Sequence, residues 1–215
     1  MNDQRDLAKL RVEYSRQSLS EKNVDRDPVR QFIRWLDEAV AAGVNEPNAM
    51  AVATCDQQRP SVRILLLKHI DAEGLVFFTN YHSRKSSQLD VNPHAACVFW
   101  WPELERQVRV EGTVTRTSVQ ESMDYFQKRP PAARLGSAAS PQSQVIGSRA
   151  ELERRMEELS ARYPDGNVPC PPHWGGYRVR PLTFEFWQGR ESRLHDRVEY
   201  CWNEGAGWVV RRLAP

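Results

Sequence analysis

The chain has 215 residues, of which 40% are hydrophobic and 27% charged, and its formal net charge is +2. That length suits one large domain or two small ones, with one favoured; the composition excludes a fibrous or wholly disordered protein, and so small a charge gives no support to a nucleic-acid or membrane partner. Cys55, Cys97, Cys170 and Cys201 stand far apart without a C-x-x-C pair, which argues against a zinc site or a disulfide framework and for free core thiols.

The opening MNDQRDLAKLRVEYSRQ holds no apolar run able to act as a signal peptide or a membrane span, so a cytoplasmic protein is expected. Residues 1–26 read as a mobile polar arm and 27–215 as one domain. Asp27 and Pro28 start a helix whose apolar face is Val29, Phe32, Ile33, Leu36 and Val40, and Gly43 ends it. The period then changes. Strands are predicted over 49–55, 61–68, 74–80, 95–101 and 105–117, joined at first by short turns that favour antiparallel hairpins. In the fifth, Val108, Val110 and Gly112 share one face, and Gln107, Arg109 and Glu111 the other.

Ser118 with Glu121 forms a capping box for a helix towards Arg129, ended by Pro130 and Pro131. Ser148 with Glu151 repeats the box before a surface helix carrying Leu152, Met156 and Leu159. Between them PPAARLGSAASPQSQ reads as a long functional loop. Strands return at YRVRPLTFEFW, RVEYCW and GWVVRRL. The fold class is mainly β with flanking helices (α+β), an antiparallel sheet closing on itself. No G-x-G-x-x-G follows a strand and no Walker A motif is present.

Several cations invite an anion. SVRILLLKH reads as a buried strand with Arg63 and Lys68 on opposite faces, although both could simply reach solvent from the strand ends. Ser83 can cap a short helix that begins with Arg84 and Lys85. Tyr125 and Arg129, four apart, share a helix face; Gln107, Gln142 and Ser143 offer neutral hydrogen bonds. In FEFWQGRESRLHDR, an extended backbone would point Arg193, His195 and Arg197 one way and Leu194 and Asp196 the other, with the arginines depressing the histidine pKa and keeping it neutral. Taken singly, each has a bland reading as an ordinary surface group. Met123, Trp100 and Trp101 read as core.

Taken together, WQGRESRLHDR, RILLLKH, FFTNYHSRKSSQ, LERQVRVEG and the closing RRLAP resemble the pyridoxamine 5′-phosphate oxidase family, from about residue 8 to the C-terminus. The resemblance implies a homodimer of FMN-binding split barrels. It also implies oxidation of pyridoxamine 5′-phosphate and pyridoxine 5′-phosphate to pyridoxal 5′-phosphate, with hydride passing from substrate C4′ to flavin N5 and O2 reduced to H2O2. Arg63, Ile64, Leu65, Leu66, Leu67, Lys68, Phe78, Thr79, Arg84, Lys85, Gln107, Gln142, Ser143, Trp187 and Arg197 match its FMN-binding positions. Lys68, Tyr125 and Arg129 match the substrate-phosphate positions, with Arg193, Leu194 and His195 at the pyridine ring. Arg193, His195 and Arg197 are the implied catalytic group, no metal is implied, and Arg11, Val12, Glu13 and Tyr14 match a segment able to cover the substrate.

Two rivals are a split-barrel flavin reductase with another substrate and a non-catalytic FMN- or pyridoxal-phosphate-binding protein. One segment departs from the family pattern R-P-x-x-S-x-I-G-A-W: RPPAARLGSA puts Ala133 at the phosphate-binding serine and Ala138 at the tryptophan. A lost hydroxyl bond to a charged group costs ~1.5–3 kcal/mol unless Arg134, Ser137 or water replaces it. Ala133→Ser is expected to lower KM with little change in kcat.

Overall fold

A computed structural model describes residues 13–215. Helix α1 (Pro28–Ala41) begins where the Val29 amide donates to the Asp27 carboxylate at 2.9 Å, and Gly43, at φ 72°, follows its end in the left-handed conformation that suits glycine. There follow β1 (Ala49–Cys55), β2 (Pro60–Leu66), β3 (His69–Asp71), β4 (Gly74–Asn80), α2 (Arg84–Val91), β5 (His94–Trp101), β6 (Arg106–Arg116) and α3 (Val119–Lys128). The chain continues through α4 (Pro131–Ala139), α5 (Arg149–Arg162), β7 (Trp174–Gln188), β8 (Asp196–Asn203) and β9 (Gly207–Leu213). Hydrogen-bonded strands run in the order β2-β1-β5-β6-β7-β4-β3, with β8 on β7 and β9 on β8. Strand β1 pairs antiparallel with β2 and β5, β4 with β3 and β7, and β8 with β7 and β9. The mainly β, antiparallel reading therefore holds.

The chain divides into two compact units, one formed by the residues through Pro47 with Phe99–Arg109 and Thr183–Pro215, the other by Asn48–Val98 and Val110–Leu182. In the first, Phe32 of α1 meets Phe99 at 4.8 Å between centroids and Trp35 stands edge-on to Phe186 at 5.2 Å. Arg106 is buried there, because each side of its guanidinium is met: Nε donates to Gln188 Oε1 at 3.0 Å, Nη1 to Glu38 at 2.5 Å, Nη2 to Gln17, and Trp35 lies 4.3 Å beneath.

In the second unit the core holds Met50, Val52, Leu75, Phe77, Phe126, Tyr177 and Val179. The first half of β7 pairs with β4, Phe78 opposite Gly176 and Thr79 opposite Gly175.

Several expectations are corrected. Helix α1 buries Val29, Phe32, Trp35 and Ala39 while Ile33 and Val40 are exposed, because the indole of Trp35 takes the centre of the packed face. Strand β2 is not fully buried: it has one hydrogen-bonded neighbour, β1, and Val62 and Ile64 face outward. It ends at Leu66, so Lys68 lies beyond the strand and no opposite-face relation to Arg63 applies. The supposed loop after Pro130 contains α4, since its alanine-rich run follows a proline placed where a helix starts. Ser118 caps α3 as expected, accepting from the Glu121 amide at 3.0 Å, but Ser148 makes no side-chain cap, and Glu151 accepts from the Gly147 amide at 3.1 Å instead. Trp100 and Met123 are exposed, Trp101 is core, and of the four free cysteines only Cys97 is fully buried.

Among the described residues, no helix is long and apolar enough to cross a membrane. Gly112 of β6 has no room for a side chain: a Cβ would lie 2.0 Å from the Arg180 carbonyl oxygen. Gly112→Ala is expected to destabilise the protein by about 3 kcal/mol, read as a lower denaturant midpoint at unchanged m-value.

Candidate active site

In the second unit, Ser118 fixes where α3 begins and Pro130 where it stops. As the residue before a proline, Arg129 takes an extended conformation, φ −74° and ψ 148°, and leaves the helix axis. Its guanidinium lies 4.9 Å over the Trp174 ring and Nη1 donates to Ser137 Oγ of α4 at 2.5 Å. One turn earlier on α3, Tyr125 stacks on Phe78 at 4.0 Å, and Phe78 lies 5.4 Å from Trp174, with the planes 14° and 10° apart. Gly176 is small because a Cβ there would lie 2.8 Å from the Phe78 ring.

These three rings wall a cavity of about 370 Å³, completed by Lys68, Thr79, Asn80, Ala133, Gly136, Ser137, Ser140 and Gln142. That size suits a small ligand. Two cations and no carboxylate line it, and neither Lys68 nor Arg129 has an ion-pair partner among the described residues. Burial lowers the pKa of Arg129 and raises that of Tyr125, whose phenol therefore keeps its proton to donate at neutral pH.

Thr79 and Gln142 also belong to a second cationic group. Lys85, buried in the first turn of α2, donates from Nζ to Thr79 Oγ1 at 2.9 Å, Ser83 Oγ at 3.1 Å and Gln142 Oε1 at 3.3 Å. Ser83 stands at the N-cap position, yet its hydroxyl serves Lys85 rather than capping the helix. All three acceptors are neutral. Burial, with the repulsion of Arg63, pushes Lys85 from the ordinary 10.5 down to about 8. Arg63 is lowered by burial and by Arg84, and it donates to Val52 O at 2.9 Å and Thr54 Oγ1 at 2.8 Å. None of Arg63, Arg84 and Lys85 is ion-paired among the described residues, so the three form a cationic group to which no carboxylate is paired. Ile64 to Leu67 run from β2 to the Lys68 turn, and Ser143 is exposed at φ 70°.

The remaining predicted residues lie in the first unit. The segment before β8 is not extended: Glu191–Arg193 forms a 3-10 turn, with Ser192 and Arg193 at φ 55° and 62°, so the alternating-face relation of Arg193, His195 and Arg197 does not exist. The Arg190 amide donates to His195 Nδ1 at 3.1 Å, which leaves the ring proton on Nε2. Burial first, and Arg193 second, lower the His195 pKa; Arg197 is not a cause. The imidazole lies 4.7 Å from the Trp187 ring, and Tyr14 stands edge-on to both. Leu194 and Arg193 are exposed, and Arg193 has no ion pair among the described residues. Arg197 differs, since Glu185 accepts from its Nε at 2.8 Å and its Nη2 at 3.0 Å, balancing its charge.

Gln107 is half-buried on β6 and Glu13 is exposed; Arg11 and Val12 lie outside the described residues. The arm from Glu13 onward is held in place, with the Ser15 and Arg16 amides donating to Glu105 and the Leu19 amide to Asp196. No group of His, Cys, Asp and Glu among the described residues could hold a metal ion.

Sequence reasoning missed Trp174, Ser140 and Asn80, and named Ser137 only as one possible replacement for the hydroxyl absent at Ala133. The signal for Trp174 was the glycine pair after it, which leaves room for rings.

Residues 36–163 match the family described as pyridoxamine 5′-phosphate oxidase, and 174–215 match a pyridoxine 5′-phosphate oxidase C-terminal dimerisation region. The chain is 57% identical over 212 residues to a pyridoxine/pyridoxamine 5′-phosphate oxidase of Rubrobacter xylanophilus, covering 98% of this chain and 97% of the relative. It is 56% identical over 210 residues to one of Paraburkholderia phymatum, covering 97% and 99%. Among solved structures, PhzG from Burkholderia lata in complex with tetrahydrophenazine-1-carboxylic acid aligns with TM-score 0.87 and 31% identity, over 94% of this chain and all of that one. A pyridoxamine 5′-phosphate oxidase-related, FMN binding protein from Nostoc punctiforme shares the fold, at TM-score 0.70 and 21% identity, over 87% and 97%.

Since Lys85 loses its charge above about 8, the affinity of the ligand-free protein for sulfate, whose own charge is constant there, is expected to fall as pH rises through that value, by up to about tenfold per pH unit. Titration calorimetry of wild type against Lys85→Met checks this, the variant binding weakly and without that dependence.

Proposed function

Because the chain belongs to the pyridoxamine 5′-phosphate oxidase family, a family of antiparallel split barrels, we propose that it oxidises pyridoxamine 5′-phosphate and pyridoxine 5′-phosphate to pyridoxal 5′-phosphate, with FMN as cofactor and O2 as oxidant. One observation carries the reading: two cationic groups that share Thr79 and Gln142 both lack a carboxylate, and this reaction must hold two phosphates at once. Arg63, Arg84 and Lys85 fit the phosphate of FMN, and Lys68, Tyr125 and Arg129 that of the substrate.

When bound, FMN would supply a hydride acceptor that O2 can reoxidise, with H2O2 as the by-product. The protein's part is to bind, orient and hold protons. Arg129, stacked on Trp174 and extended before Pro130, presents a fixed cation, and the protonated Tyr125 adds a donor. The rings of Phe78, Tyr125 and Trp174 shield one side of the bound ester from water. His195, kept neutral with its proton on Nε2, donates one directed hydrogen bond to the polar edge of the pyridine ring, and Arg193 supplies an unbalanced cation to the same ring.

Trp187, Gln107 and Arg197 serve the flavin. With its charge met by Glu185, Arg197 contributes remaining N–H donors rather than a net positive charge. Tyr14, packed on Trp187 and His195, belongs to the segment that covers the substrate. The dimerisation region at 174–215 supports a homodimer.

Purified protein loaded with FMN is expected to be yellow and to release one H2O2 per pyridoxal 5′-phosphate formed from either ester. With pyridoxamine lacking the phosphate, kcat/KM should fall roughly a hundredfold or more. Absence of peroxide from the FMN-loaded protein with both esters contradicts the reading.

A further inference from the structure

Ala133 leaves the cavity wall without the hydroxyl of the family pattern, and the sequence offers Arg134 and Ser137 as replacements. Arg134, the adjacent polar residue, is buried with Nη1 on Gln127 Oε1 at 2.9 Å and does not line the cavity. Ser137 does line it, one helical turn after Ala133 on α4, so positions 133 and 137 face the same space. Between them Gly136 leaves the wall open, since a Cβ built there meets no atom within 4 Å.

The hydrogen-bond inventory of Ser137 then decides what its hydroxyl can do. A guanidinium only donates, so in the 2.5 Å contact Arg129 is the donor and Ser137 Oγ the acceptor. The serine proton is thereby left to donate elsewhere. Polarised by the cation behind it, that O–H becomes a stronger donor towards an anion in the cavity. No carboxylate lines the cavity to take it.

We propose that Ser137 is a substrate-binding residue of this chain, donating its hydroxyl proton to the phosphate held by Lys68, Tyr125 and Arg129, in the place left by Ala133. This rests on the reading that the cavity takes the phosphate ester. It also revises the expectation for Ala133: with Ser137 in place, Ala133→Ser alone shifts KM by less than about twofold.

The test is a pair of variants, Ser137→Ala and the double variant Ala133→Ser with Ser137→Ala, assayed by steady-state kinetics and by titration with pyridoxal 5′-phosphate followed by absorbance. Ser137→Ala is expected to raise KM and the product dissociation constant roughly tenfold or more while kcat stays within about twofold and FMN content is unchanged. The double variant is expected to recover most of that loss, because its hydroxyl enters the same cavity one turn earlier. Values for Ser137→Ala within twofold of wild type overturn the proposal. So does a loss that the double variant fails to recover, which would make Ser137 only a brace for Arg129. A wild-type protein that oxidises neither ester defeats the functional reading instead, whereas an active wild type with an indifferent Ser137→Ala defeats this inference alone.

Discussion

A buried ammonium group without a carboxylate is the constraint around which the second unit is arranged. Taking Lys85 out of water costs free energy that its three neutral acceptors, Thr79, Ser83 and Gln142, offset only in part, and the drop of its pKa to about 8 records the remainder. Arg63 adds to the cost by repulsion, and Arg63 is itself repelled by Arg84. An anionic ligand would supply the missing negative charge, which is why the end of β4, the start of α2 and the Gln142 turn are proposed as parts of one anion site.

Ion pairing distinguishes several cations of the fold from those proposed to meet ligands. Arg106 is buried and Arg178 partly so, and each is met by carboxylates, Glu38 for the first and Asp71 and Glu121 for the second. Arg109 and Arg197 both reach Glu185. Lys68, Arg63, Arg84, Lys85, Arg129 and Arg193 have no such partner among the described residues. These six occupy positions that the resemblance assigns to phosphates and the pyridine ring, although other cations, the buried Arg134 among them, also have no ion pair among the described residues. Arg197 belongs to the balanced set and so enters the reaction differently from Arg193, although the two stand only four residues apart.

Much of this was legible in the sequence because it rests on local rules. Asp27 before Pro28, Ser118 before Glu121, and strict alternation along β6 each specify a short-range geometry, and each appears as read. Failures came where distant partners decide. RILLLKH looks like a buried strand until its position at the sheet edge exposes Ile64. RESRLHD looks extended until two left-handed residues fold it into a turn. The same holds for the site. Conspicuous cations could be picked out singly, but the partners of Ser137 and Trp174 emerge only when α3, α4 and β7 come together, and the absence of a counter-charge at Lys85 is a property of the folded chain alone.

The central claim is that the unbalanced cations exist to hold phosphate, and the most direct measurement compares FMN with riboflavin, identical ligands apart from that group, by titration calorimetry of the cofactor-free protein. The account predicts that FMN binds about a hundredfold or more tightly than riboflavin at pH 7. Equal affinity for the two flavins would contradict it.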